Sequence, residues 1–462
     1  MNDRFKPILI LLALGVGSMY LIKMALGSVE TGIGIIAGLV AASICFVIVA
    51  REKQDQYFLL RLFFGALALR WILSSAIDYF GLRPVVSPDA FTYDAWGYAL
   101  LQNWMEVKGA GWTPKANVSG WGMPYYVAAI YYFVGQSNLA VQYINCTLGA
   151  MTCVLVYKIS LFIYPEVRVA RLAGILTAVT PSIILWSSQA IKEGPIMFCL
   201  ALSSYLGLKI CRRFDLLSFV GLILTLIGLY GLRNYAFFIF FIGIAGALVF
   251  TSLKFSAVKG IQGFLLTVVL SIMFVYFGAG QTAMGQLDIQ KAQNSRQWSA
   301  RVSGSGYGGD VDITDTKAAI TFLPIGILYV LFAPFPWMVK SMVQATAVPE
   351  TIVWWLTFPL LIRGYWFILR QRLLEALPLC IFTLGLTFVY ALYQTNAGTV
   401  YRQRTQLLIF FVIFVSIGWD RWQIARRKKS VNGGRWSGIG GVLETRNPNL
   451  ETTFYRPPTT NR

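Results

Sequence analysis

Apolar stretches close to 20 residues long recur from one end of this chain to the other. As helices rising about 1.5 Å per residue, each is long enough to cross a hydrocarbon core about 30 Å thick. A backbone in lipid must satisfy its own N–H and C=O groups, so the pattern implies an all-α polytopic membrane bundle. Composition agrees: 56% of the 462 residues are hydrophobic, mean hydropathy is +0.62, and 13% are charged, against roughly 25% in a soluble domain. Spans are expected near 7–27, 31–50, 57–80, 139–163, 170–190, 195–211, 215–232, 234–252, 260–279, 349–369, 376–394 and 404–420, about twelve in all. The first, Pro7 to Gly27, follows Arg4 and Lys6. It is read as a retained span because no small-residue cleavage site comes after it.

Sidedness follows from charge. With the N-terminus inside, the turns that carry Arg51 and Lys53, Arg168 and Arg171, Arg212 and Arg213, Lys254 and Lys259, Arg370 and Arg372, then Arg426 to Lys429 all fall in the cytoplasm. That bias accounts for the net charge of +19 with no nucleic-acid partner. The long polar stretches then face outward, in loops 81–123 and 281–348. Within the second, Ile320 to Val348 is apolar but carries Pro324, Pro334 and Pro336, and is expected to form a re-entrant or interfacial hairpin. The domain reading is a transmembrane hairpin over 1–56, a transmembrane catalytic domain over 57–420, and a basic, disordered cytoplasmic tail over 421–462 that touches anionic lipid. The expected location is the cell inner membrane, multi-pass, with the functional face toward the periplasm or exterior.

The chain has no histidine, which removes Ser-His-Asp hydrolysis, HExxH zinc chemistry and histidine proton relays. Its six cysteines lie in or beside apolar runs, with no paired loop pattern and no CxxC site. Carboxylates, Lys, Arg and Tyr remain as reactive groups.

Asp89 is the leading candidate. In Ser87-Pro88-Asp89-Ala90, Ser87 reads as an N-cap, Pro88 suits the first helical position, and Asp89 falls where the helix dipole favours negative charge. The helix that follows sets Tyr93, Trp96, Leu100 and Trp104 along one side, as in an amphipathic helix at headgroup level, with Asp94 toward solvent. Lys192 and Glu193 emerge on the same face, in the short turn before Pro195. Arg233, in Gly231-Leu232-Arg233-Asn234, does so between two spans, and Tyr401, Arg402 and Arg404 do so before the last span. Outer arginines run against the positive-inside bias, and guanidinium forks bind phosphate oxygens well. Interfacial snorkelling would explain any one of them, though not all together. Arg70, mid-span, is expected to face the bundle, where a lone charge costs about 2.5–3.5 kcal/mol. Trp112, Trp121, Tyr125 and Tyr126 suit an aromatic belt as well as a sugar-stacking surface. Asp310, Asp312 and Asp315 among glycines lack EF-hand spacing and read as an acidic lid.

Together, Pro88-Asp89-Ala90-Phe91-Thr92-Tyr93, the turn at Glu193, the outer arginines and the run of spans over residues 57–420 resemble the GT-C class of integral-membrane glycosyltransferases. Within that class they are most similar to the bacterial relatives of protein O-mannosyltransferases and aminoarabinose transferases. The resemblance implies inverting transfer of a sugar from a polyprenyl-phosphate-linked donor to a glycan, lipid or protein acceptor, in cell-envelope or polysaccharide assembly. Asp89 would match the family's first-loop aspartate and Glu193 its second acidic site. Arg233 and Arg402 would face the donor phosphate, with Tyr93, Lys192, Tyr401 and Arg404 as further substrate contacts. No cofactor is required by this reading, and a divalent cation is left open. The competing readings are an O-antigen-type polymerase or ligase, which leans on outer-loop arginines, and a lipid-linked sugar transporter or flippase. The latter is normally built from related halves with midplane charges.

Overall fold

The computed structural model describes residues 29–107, 120–254, 268, 289–339 and 342–434. The protein is an all-α polytopic membrane bundle. In chain order its helices are α1 (Val29–Ala50), α2 (Gln56–Tyr79), α3 (Asp89–Trp104), α4 (Gly122–Val134), α5 (Asn138–Ile163), α6 (Val167–Val179), α7 (Pro181–Ser187), α8 (Glu193–Arg212), α9 (Leu216–Leu232) and α10 (Asn234–Lys254). They continue with α11 (Ile289–Val302), α12 (Thr316–Phe332), α13 (Met342–Gln371), α14 (Leu373–Tyr393) and α15 (Ala397–Gly434). Single helical turns occupy Arg83–Val86 and Pro336–Met338.

Among the described residues seven helices are long and apolar enough to cross a membrane, or eight when α6 and α7 count as one bent span. The expected spans near 7–27 and 260–279 lie outside the described residues, Val268 apart. The expected span 170–190 is broken by 60° between α6 and α7. Pro181 is the cause: it lacks an N–H and pushes Thr180 out of the helical region, to φ −66°, ψ 118°.

Within the stretch expected to be a re-entrant or interfacial hairpin, α12 runs unbroken through Pro324 to Phe332. The helix ends at Ala333, beside Pro334 and Pro336, and α-helical structure resumes in α13 at Met342. Helix α15 continues to Gly434, although the sequence predicts a disordered tail from Arg421. Residues 435–462 lie outside the described residues. The chain divides into two compact units between Trp419 and Asp420.

Helix α5 is buried almost all round, as its unstriped mixture of small and apolar residues demands, and it packs against α1, α2, α6 and α8. A second layer sets α14 between α10 and α12. Helix α15 is buried without interruption from Gln403 to Gly418. Its close approach to α13 depends on two glycines: a Cβ on Gly364 would strike the Phe414 carbonyl, and one on Gly418 the Leu360 carbonyl.

Arg70 faces the bundle as expected, fully buried. Its Nε donates to Ser187 Oγ at 2.8 Å and its Nη1 to the Ala66 carbonyl at 3.0 Å. At one end of the bundle, ion pairs join the turns that the sequence places in the cytoplasm. Arg171 Nε donates to Asp55 Oδ2 at 2.7 Å, Tyr157 donates to the same oxygen at 3.1 Å, and Lys209 pairs with Asp215 at 2.9 Å.

Candidate active site

At the opposite end, the chain turns from α7 into α8 through Ser188–Lys192. Asn145, on α5, donates its side-chain amide to two carbonyls of that turn, Gln189 at 2.7 Å and Ile191 at 3.1 Å. Tyr126 donates to the Asn145 oxygen at 2.8 Å. Ser87 donates to Gln189 Oε1 at 3.1 Å. Ser87 is therefore not a side-chain cap of α3. Its hydroxyl fastens the start of that helix to the α7–α8 turn, and so brings Asp89 beside Glu193.

The other two elements arrive by backbone fit and capping. A Cβ on Gly122 would strike Gly231, so the start of α4 lies directly against the end of α9, one residue before the Leu232–Arg233 corner. The start of α15 is capped by Asn396, whose Oδ1 accepts from the Gly398 and Thr399 amides at 2.9 and 3.3 Å and from the Ser305 hydroxyl at 3.0 Å. Ser305 and Tyr307 pair with the 395–397 backbone, which anchors the second polar loop over α15 and fixes the turn that carries Arg402.

Four charged side chains form one chain of contacts. Arg402 Nη1 donates to Asp89 Oδ2 at 2.7 Å, and Arg402 Nε lies 3.2 Å from Glu193 Oε1. Arg233 Nη2 donates to that same Glu193 oxygen at 3.3 Å. Arg233 Nη1 donates to the Tyr390 hydroxyl at 3.3 Å, which in turn donates a hydrogen bond to Gln406 Oε1 at 3.0 Å. Exposure divides the acids: the Asp89 side chain is 42% exposed and that of Glu193 is 1%. Only Asp89 can be reached by a substrate without rearrangement.

Lys192 adds a third cation. Burial, and after it the charge of Arg233, pushes its ammonium down to about 8, so it is mostly charged at neutral pH and titrates just above. Tyr93 sits on the buried face of α3. Burial, then the Glu193 and Asp89 carboxylates, hold its hydroxyl above the ordinary value, which keeps it a neutral donor. Three cations thus surround two carboxylates. The Nε–H of Arg233 is buried and finds no hydrogen-bond acceptor among the described residues, and that of Arg402 has only its ion contact with Glu193 at 3.2 Å, without hydrogen-bond geometry. Such donors are suited to an incoming anion.

Other expectations fare differently. Arg404 and Tyr401 do not join this group. Arg404 is fully buried on the far side of α15 and donates to the Leu331 and Ala333 carbonyls at 3.0 and 2.8 Å, while Tyr401 donates to Glu350 at 2.9 Å. Residues two apart on a helix point in nearly opposite directions, so Arg402 and Arg404 cannot serve one pocket together. The buried face of α3 is Ala90, Tyr93, Gly97, Leu100 and Leu101, with Trp96 and Trp104 turned outward. Asp94, expected in solvent, accepts from Tyr131 and from Gln136.

The acidic loop serves local structure. Asp315 caps α12 through the Lys317 and Ala318 amides, and Asp312 accepts from Thr314. Among the described residues no group of three or more His, Cys, Asp or Glu could hold a metal. The donor set does not fit a divalent cation at Asp89 and Glu193 either, because the Arg402 guanidinium bridges the two acids. Trp112 lies outside the described residues.

No protein-family model matches the chain, and no curated protein matches it in sequence. Among solved structures it is similar to the archaeal oligosaccharyltransferase AglB from Archaeoglobus fulgidus, in complex with an inhibitory peptide and a dolichol-phosphate. Identity is 13% and the TM-score 0.44, over 86% of this chain and 53% of that one, so the chain spans about half the length of that protein. A likeness that low identifies neither a family nor an activity, and what the site can do is read from its own residues.

Proposed function

We propose that the protein is a membrane glycosyltransferase of the GT-C type, which moves a sugar from a polyprenyl-phosphate donor to a hydroxyl acceptor at the outer face of a cell membrane. The acceptor is a glycan, lipid or protein of the cell envelope. The observation that carries this reading is a half-exposed carboxylate, Asp89, paired with an arginine whose other neighbour is a fully buried glutamate shared with a second arginine.

In the proposed step Asp89 accepts the proton of the acceptor hydroxyl as that oxygen bonds to the anomeric carbon from the face opposite the phosphate. The bond between that carbon and the phosphate oxygen breaks, its electron pair stays on the phosphate, and the anomeric configuration inverts. Arg402, Arg233 and Lys192 stabilise the departing phosphate, fixed in place beforehand by Glu193. Glu193 therefore acts as the anchor of the cations and not as a second base. Tyr93 offers a neutral hydroxyl beside the pair.

The test is transfer by purified protein from a panel of polyprenyl-phosphate sugars. Asp89→Asn, nearly isosteric and still able to accept from Arg402, is expected to lower kcat on the order of 10²- to 10⁴-fold with the fold intact. Unchanged turnover removes the base. If Arg402→Ala abolishes activity while Asp89→Asn does not, the arginine-led polymerase or ligase reading takes its place.

A further inference from the structure

Glu350 stands in an apolar stretch of α13, where an acid is costly and needs partners. Its carboxylate gathers three donors from two other helices. Oε2 accepts from the Ser182 amide at 2.7 Å and from the Tyr401 hydroxyl at 2.9 Å, and Oε1 accepts from the Ser182 hydroxyl at 2.5 Å. Each partner leads directly into the site. Ser182 is the second residue of α7, just past the 60° break, and α7 delivers the turn that carries Lys192 and Glu193. Tyr401 immediately precedes Arg402. Trp186, also on α7, lies beneath the Arg402 guanidinium, 6.0 Å from ring centroid to Cζ.

Pro181 bends the span but supplies no N–H, so the first free amide of α7 is that of Ser182, and Glu350 takes it. One carboxylate thus grips the helix that leads into the turn before Glu193 and the helix that presents Arg402, from outside the contact between them.

We propose that Glu350 is a positioning residue, which sets the separation of Glu193 and Arg402 by clamping α7 to α15. The inference rests on the transferase reading for its effect on turnover, but the clamp itself does not depend on that reading. Glu350→Gln removes the charge that strengthens all three contacts, and the Ser182 hydroxyl must turn from donor to acceptor to keep its own, so the grip weakens. The expected loss of kcat is on the order of ten- to hundredfold, from misplacement of the phosphate-binding arginine. Tyr401→Phe, which keeps the acid and removes one grip, is expected to lose less, and the double variant to lose no more than Glu350→Gln alone.

The second readout needs no activity. Full-length protein in lipid nanodiscs is labelled with an amine reagent across pH, and modification of Lys192 is followed by mass spectrometry. Wild type is expected to show a midpoint near 8. Release of α7 lets water reach Lys192 and, after that, loosens its approach to Arg233 and Arg402, which moves that midpoint upward in Glu350→Gln. Should Glu350→Gln fail to fold, Tyr401→Phe carries the same comparison. An unmoved midpoint in a folded variant overturns the clamp. A wild type inert toward every polyprenyl-phosphate sugar, with the midpoint still displaced by Glu350→Gln, sinks the transferase reading and leaves the clamp standing.

Discussion

Both ends of the bundle carry ion pairs, built on different plans. At the end marked by the basic turns, acids and bases pair one to one and reach water: side-chain exposures are 47% and 11% for Arg171 and Asp55, 44% and 40% for Lys209 and Asp215, and 36% and 39% for Arg372 and Glu375. At the other end Glu193 is 1% exposed, serves two guanidinium groups at once, and lies beside Lys192 as well. Surface pairs of the first kind contribute about 0–1 kcal/mol each. The second arrangement is poor as a stabiliser, since buried charges lose hydration and the cations outnumber the acids. A surplus of buried positive charge behind a reachable carboxylate is what the proposed transfer to a hydroxyl requires, and on that proposal the contrast separates a working end from a supporting one.

The comparison breaks most sharply at Glu193. Glu193→Ala leaves Arg233 and Arg402 buried without their shared counter-ion and is expected to lower stability by about 3–5 kcal/mol. Glu375→Gln, at the other end, should cost under about 1 kcal/mol. Denaturant unfolding of the two variants in the same detergent checks this. Equal losses would mean that the buried cluster is no more demanding than a surface pair.

Much of the bundle was legible because apolar length is a one-dimensional signal: α1, α2, α5, α8, α13 and α14 follow their expected spans within a few residues at most ends, α13 beginning earlier than expected. Legibility stopped where a proline changes direction according to its surroundings. Pro324 lies inside an intact helix packed on α14, whereas Pro181 breaks its span. Within the site, Asp89, Glu193, Arg233 and Arg402 could be singled out because charge beside apolar sequence is conspicuous. Their partners could not. Asn145, Gln189, Asn396 and Tyr390 are ordinary residues whose role comes from contacts across tens to hundreds of positions. Arg402 and Arg404 look equivalent in sequence, and helix phase alone sends them to different neighbours.

A smaller effect sharpens the comparison from the side of pH. Lys192 titrates near 8, with burial and Arg233 opposing its charge, so the cationic surplus shrinks as pH rises through that value. The donor KM of wild type is expected to climb on the alkaline side, by up to about tenfold for a lost charge-assisted contact of about 1.4 kcal/mol. Lys192→Arg stays charged and should lose that limb of the profile. A limb that survives in Lys192→Arg belongs to another group.

The smallest effect is expected at the structural end, and it runs with the opposite sign of pH. Asp55 accepts from Arg171 and Tyr157, and chiefly the Arg171 contact holds its carboxyl below the ordinary value. A group whose folded value is depressed contributes stability above its unfolded value, about 3.9, and that contribution fades as pH falls through the folded value. Because Arg171 is half exposed, solvent screening limits the contribution to about 0.5–1 kcal/mol. Asp55→Asn isolates it cleanly, since Asp55 has φ 61° and asparagine tolerates that left-handed backbone. The variant should be slightly less stable than wild type at pH 7 and lose that difference as pH falls through the depressed Asp55 value, with turnover at pH 7 unchanged. If Asp55→Asn lowered kcat instead, charge at the basic end would be coupled to the Asp89 cluster, and the division between a working end and a supporting end would fail.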